Sequence, residues 1–164
     1  MDRLIPLAES VGVKLKARGE TVAISESSSG GLISAALLAV PGASSFYRGG
    51  GIIYTPAAFR GLMGLHKKDI EGMRSSTEPY ARFMARAIRE KLRADWGLCE
   101  TGASGPTGNG YGDAAGHTCV GLVGSNVENA ADVSRTLETG LSDRQENMFL
   151  FAKEALGLLN EQLG

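Results

Sequence analysis

Leu4, Leu7, Ala8, Val11 and Leu15 recur at helical spacing, which predicts an amphipathic helix over residues 2–18, closed by Gly19. The short run Thr21-Val22-Ala23-Ile24-Ser25 predicts a strand that ends in a polar turn. Residues 30–39, GGLISAALLA, have little polar face and predict a largely buried helix, stopped by Pro41-Gly42. Gly51-Ile52-Ile53-Tyr54-Thr55 predicts a second strand, which Pro56 cannot continue inside a sheet. Ser76-Thr77-Glu78-Pro79 combines a cap candidate with a first-turn proline. The helix it opens runs to about Ala94, with Tyr80, Phe83, Met84, Ala87, Ile88 and Leu92 as its inner stripe. Trp96–Thr101, His117–Val123 and Val133–Glu138 predict three more strands. Ser142-Asp143-Arg144-Gln145 reads as a capping box for a last helix, whose inner face is Phe149, Ala152, Leu156, Leu159 and Leu163.

Five strands and at least four helices, alternating early, predict an α/β layered domain with a mixed, mostly parallel sheet. At 164 residues the chain fits one domain, residues 1–164, long enough for a full core without staples. Charge is nearly balanced, 17 basic against 18 acidic residues, which argues against nucleic-acid binding by bulk electrostatics. No apolar run approaches the roughly 20 residues of a membrane span, and MDRLIPLAES lacks the apolar core of a signal peptide. No membrane partner and a cytoplasmic location are therefore expected. Cys99 and Cys119 sit in apolar stretches and read as small core residues, not as a disulfide framework. The 23 glycines cluster at 49–51, 102–116 and 121–124, which suggests tight backbone work.

Three segments could carry chemistry. The first is SESSSGG, residues 25–31, a strand-to-helix turn. Its serine hydroxyls and helix-start amides fit three readings: a capped buried helix, an anion cradle, or a nucleophile turn with an oxyanion site. The second is the glycine-dense loop from Thr101 to Gly112, directly after a strand, where open α/β sheets bind ligands. It matches neither a Walker loop nor a dinucleotide fingerprint. The third is Tyr54, at the end of its strand, a phenol that needs help to act as a base. His66 and His117 stand alone, so neither a metal site nor a Ser-His-Asp set can be assembled, and no cofactor is expected.

Taken together, Glu26-Ser27-Ser28-Ser29-Gly30-Gly31, Val40-Pro41-Gly42-Ala43-Ser44-Ser45-Phe46, Gly50-Gly51-Ile52-Ile53-Tyr54, Gly64-Leu65 and Thr101-Gly102-Ala103-Ser104-Gly105-Pro106 resemble the CinA C-terminal domain family, also called competence/damage-inducible-like proteins. The resemblance runs from Leu4 to Leu163. It implies a three-layer α/β/α sandwich, a homodimer, and nicotinamide mononucleotide amidohydrolase activity in pyridine nucleotide salvage, releasing nicotinic acid mononucleotide and ammonia. By position, Ser27 matches the family's nucleophilic serine and Tyr54 its strand-end tyrosine. Substrate contacts are expected from Glu26, Ser28, Ser29, Gly30 and Gly31 and from Thr101, Gly102, Ser104 and Gly105. In this scheme amides near Ser29 to Gly31 hold the oxyanion, Tyr54 or Glu26 relays the proton, and the Gly102–Gly105 loop with the Ser104 hydroxyl holds the ribose phosphate. The chain departs from the family where its base lysine is replaced by Phe59, and where a further lysine is replaced by Asp113. Phenylalanine takes no proton and the neighbouring Arg60 does not release one. Three functions follow: an amidase with an altered base, a catalytically impaired nucleotide-binding or regulatory domain, or a hydrolase of another substrate, since Asp113 and the missing lysine alter the charge of the phosphate end.

Overall fold

The computed structural model describes residues 1–124 and 132–164. Its elements run α1 (Ile5–Arg18), β1 (Val22–Glu26), α2 (Leu32–Leu38), β2 (Tyr47–Ile52), α3 (Pro56–Gly61), α4 (Glu78–Leu92), β3 (Trp96–Ala103), β4 (His117–Val123), β5 (Asp132–Glu138) and α5 (Arg144–Gln162). A left-handed Gly19 closes α1 as the pattern predicted. The last helix starts one residue later than the expected capping box. Its cap is Asp143, whose carboxylate accepts from the Glu146 amide.

The strands form one sheet in the order β2-β1-β3-β4-β5. β1 pairs in parallel with β2 and β3, and β4 pairs antiparallel with β3 and β5. The sheet is mixed as expected, but its pairings divide evenly instead of leaning parallel. The β3–β4 connection is a loop that returns directly, and such a connection requires antiparallel pairing.

Alternation along the strands sends neighbouring residues to opposite faces. Val22, Ile24, Leu98, Val120 and Leu122 pack with α1, α2 and α5. Ala23, Cys99, Cys119 and Val123 face the other way, towards α4 and α3. Helices therefore cover both faces, giving the α/β/α sandwich. Helix α4 lies directly on the strand backbones. A Cβ at Gly97 would come within 1.9 Å of the Ala85 carbonyl oxygen, and one at Gly121 within 2.4 Å of the Ala81 carbonyl carbon.

One boundary differs from the pattern in a way that matters below. β2 is Tyr47-Arg48-Gly49-Gly50-Gly51-Ile52, not residues 51–55. Three glycines give no apolar alternation to read, while the apolar Ile53 beyond them looks like strand. β2 is an edge strand, and the chain leaves it at Ile53 to start α3, with Thr55 as side-chain cap and Pro56 in the first turn.

Candidate active site

The carboxyl ends of β1 and β3 meet at the Ser27 turn. Residue by residue, the turn is built by two buried carboxylates. Glu26 is 1% exposed and Glu100 is 0% exposed. Glu26 Oε2 accepts from Ser29 Oγ at 2.9 Å, the Gly31 amide at 2.9 Å and the Ile33 amide at 3.1 Å. Its Oε1 accepts from the Ser34 amide at 2.8 Å and Ser34 Oγ at 2.6 Å. Glu100 Oε2 accepts from the amides of Ser27 at 3.1 Å and Ser29 at 2.8 Å. Glu100 Oε1 accepts from Ser28 Oγ at 2.7 Å and Thr118 Oγ1 at 3.1 Å.

This network corrects two expectations. The helix-start amides cannot hold an oxyanion: Ser29 and Gly31 donate to the carboxylates, and Gly30 donates to the Ser27 carbonyl. Glu26 cannot relay a proton either, because both its oxygens are occupied by donors fixed to α2. The anion that the positive end of α2 favours is the protein's own Glu26. Of the three consecutive serines, Ser28 and Ser29 are tied into this frame. Ser27 is half-buried, and its hydroxyl has no hydrogen-bond partner among the described residues.

Ser27 opens onto a cavity of about 1110 Å³ between the sheet, α3, α4 and residues 67–76. Glu26, Tyr54, Thr101 and Gly102 share its lining. Ser28, Ser29, Gly30, Gly31, Ser104 and Gly105 are not among the lining residues. Ser104 is 2% exposed, and its hydroxyl is the one buried side-chain polar atom without a partner among the described residues. Gly105 offers its carbonyl to Arg144 at 2.5 Å. The same Arg144 donates to the Tyr54 hydroxyl oxygen at 3.1 Å. Tyr54 is 56% exposed and lies beyond the end of β2. With one lone pair held by Arg144, its own O–H is left to donate into the cavity.

Phe59 lines the cavity from α3 and is 8% exposed, so the position at which the resemblance implies a lysine falls in the wall of the site itself. Residues 72–76 are held by the glycine-dense loop. Arg74 makes two bonds to Asp113, at 2.6 and 2.9 Å, and its guanidinium lies 5.3 Å over the Tyr111 ring. Arg74, helped by Asn109, holds the Asp113 carboxyl down to about 2. The Ser76 amide donates to Thr101 Oγ1 at 3.1 Å, and the Ser76 carbonyl faces His117 Nε2 at 2.9 Å.

His117, Glu138 and Cys119 have the outline of a thiol triad. His117 Nδ1 meets the Glu138 carboxylate, and Nε2 lies 3.6 Å from Cys119 Sγ. The outline does not function as one. Nε2 gives its proton to the Ser76 carbonyl, Cys119 is buried, and burial pushes its thiol up. Both ring nitrogens face acceptors, an arrangement that favours the imidazolium and pins Ser76. Among the described residues no three His, Cys, Asp or Glu side chains gather as a metal site, and no helix is long and apolar enough to cross a membrane.

Of the residues singled out in the sequence, Ser27, Tyr54 and Thr101 line the cavity; Glu100 and Arg144, which position the turn and Tyr54, are not singled out there as site residues. Glu100 did leave a signal, as the one charged residue within a predicted strand, Trp96–Thr101, that is buried throughout.

With this geometry in view, comparison with known proteins is direct. A sequence profile of the CinA C-terminal domain matches residues 4–163. A CinA-like protein of Nostoc sp. (strain PCC 7120 / SAG 25.82 / UTEX 2576) is 32% identical over 163 residues, 96% of this chain and 38% of that protein. One from Gloeobacter violaceus (strain ATCC 29082 / PCC 7421) is 34% identical over 134 residues, 82% of this chain and 32% of that protein. The chain thus spans about a third of the length of these curated relatives. A competence or damage-inducible protein from Enterobacter asburiae superimposes with a TM-score of 0.87 at 25% identity, covering 98% of each chain. A CinA superfamily protein from Klebsiella pneumoniae 700603 gives the same TM-score at 22% identity, covering 98% of this chain and 97% of the other, and so shares the fold.

Proposed function

We propose that this chain, which belongs to the CinA C-terminal domain family, is a nicotinamide-nucleotide amidase that converts nicotinamide mononucleotide to nicotinic acid mononucleotide and ammonia. The observation that carries this reading is Ser27: of three adjacent serines it alone has an unengaged hydroxyl, and it lines a cavity large enough for a mononucleotide. Ser27 Oγ attacks the carboxamide carbon, its proton leaves with the departing ammonia, and water hydrolyses the resulting ester. The Tyr54 O–H is aligned by Arg144 and donates to the developing oxyanion or to the leaving nitrogen. Thr101 Oγ1 accepts from Ser76 and keeps its own proton for the ligand. A cytoplasmic homodimer acting in NAD metabolism goes with this reading on family membership alone. Light scattering on the purified chain tests the dimer.

A second reading rests on Phe59. Among the described residues no lysine or histidine bonds to Ser27, and a buried phenyl ring stands in the wall at the position where the resemblance implies the base. The chain is then a nucleotide-binding or regulatory domain that keeps the cavity without turnover. Ammonia release from nicotinamide mononucleotide decides between them. Activity that disappears in Ser27→Ala supports the amidase, and activity unchanged in that variant removes Ser27 from the mechanism. Binding without ammonia release, converted to turnover by Phe59→Lys, supports the second reading.

A further inference from the structure

The floor and one wall of the cavity carry opposite charge. Under the floor lie Glu26 and Glu100, and every donor to their oxygens is a neutral amide or hydroxyl. Neither carboxylate forms an ion pair with a cation among the described residues. The wall formed by α3 and the turn at Lys67–Ile70 presents Arg60, Lys67 and Lys68. None of these three pairs with a carboxylate among the described residues. Arg74 also lines the cavity, but Asp113 holds its guanidinium. The acidic residue on the same side is Glu71, since Asp69 is turned to the His66 amide.

We infer that Arg60, Lys67 and Lys68 form an anion-binding wall that receives the phosphate of a small phosphorylated ligand, which directs the ligand's other end to Ser27. An anion at the floor would meet two buried carboxylates and amides already spent on them, in a partly enclosed site where charge acts strongly. An anion at the wall meets three mobile donors that no protein carboxylate competes for. This places the phosphate away from the Gly102–Gly105 loop and the Ser104 hydroxyl expected from the sequence. The identity of the end opposite the phosphate rests on the amidase reading; the anion wall does not.

Calorimetry on the full chain tests the wall with nicotinamide mononucleotide and its dephosphorylated nucleoside. The wild type is expected to favour the nucleotide by at least about tenfold, the scale of a few charge-assisted contacts. Lys67→Ala combined with Lys68→Ala changes exposed side chains only, and should shrink that preference to within about twofold while leaving nucleoside affinity in place. A preference that survives in the double variant and in Arg60→Ala overturns the inference. If neither nicotinamide ligand binds, adenosine monophosphate and inorganic pyrophosphate serve as probes. Binding of either that is lost in the double variant sustains the wall while the amidase reading fails. Absence of anion binding to the wild type overturns the wall.

Discussion

Glu26 and Glu100 look alike as buried acids, yet their partners differ in kind, and that difference predicts different responses to the same substitution. Glu100 presents one oxygen to two amides and the other to two hydroxyls. In Glu100→Gln the amide oxygen can keep the backbone donors while its NH2 donates to Ser28 and Thr118, whose hydroxyls can reverse their role. A loss of about 1 kcal/mol or less is expected from urea denaturation. Glu26 faces backbone N–H groups with both oxygens, so a glutamine there must set its NH2 against a donor that cannot reverse. Glu26→Gln should cost about 2–4 kcal/mol. Equal losses in the two variants would mean that the carboxylates are held by charge and not by donor geometry. Ser28→Ala, which removes a donor from a carboxylate that keeps three, should reduce stability by about 1 kcal/mol without ending ammonia release.

At the scale of elements, the closeness of α4 to the sheet depends on strand positions without side chains. Gly97→Ala drives a methyl into the backbone of α4, which cannot step aside as a side chain can. A loss of about 3 kcal/mol or more is expected, seen as a fall in thermal midpoint of roughly 6–12 °C for a domain of this size. His117 ties β4 to the residue that precedes the α4 cap. Burial works against its charge, but Glu138, the Ser76 carbonyl and Asp113 prevail and raise it above the ordinary 6.5. A raised histidine contributes stability that is complete below its unfolded value and is lost as pH climbs through the folded one. The wild type should therefore lose stability relative to His117→Gln as pH rises from about 6 upwards. Parallel pH profiles of the two proteins would show that the ring is not charged in the native state. The periodic elements were legible because each has an apolar stripe, as in α4 with Tyr80, Met84 and Ile88. Helix α3 and the start of β2 were not, because six residues with one apolar anchor, Phe59, and a glycine run carry no period.

For the whole molecule, the two faces of the sheet are unequal. Three helices bury one face, whereas α4 with the short α3 covers the other, and the cavity lies on that thinner side. This explains which part of the site the sequence could disclose. The Ser27 turn and Thr101 sit at strand ends, and strand ends are foreseeable places for ligands. Contacts such as Arg144 with Tyr54, 90 residues apart, depend on the path by which α5 returns across the sheet, which no local pattern encodes. The solved structures that superimpose with a TM-score of 0.87 share the layered α/β architecture, and the family match runs over residues 4–163.

The edge strand β2 adds a consequence in time. Its three glycines have no side chains to anchor them, and the segment it feeds, through Tyr54 to Phe59, forms one side of the cavity. Local opening should begin there and not in β3 or β4, which are flanked on both sides. Deuterium uptake at Gly49–Ile52 should outrun uptake at Leu98–Glu100 by orders of magnitude, and a bound nucleotide should slow it. The rate at which ligand enters and leaves would then be set by how often this edge frays, a clock that runs independently of the chemistry proposed for Ser27.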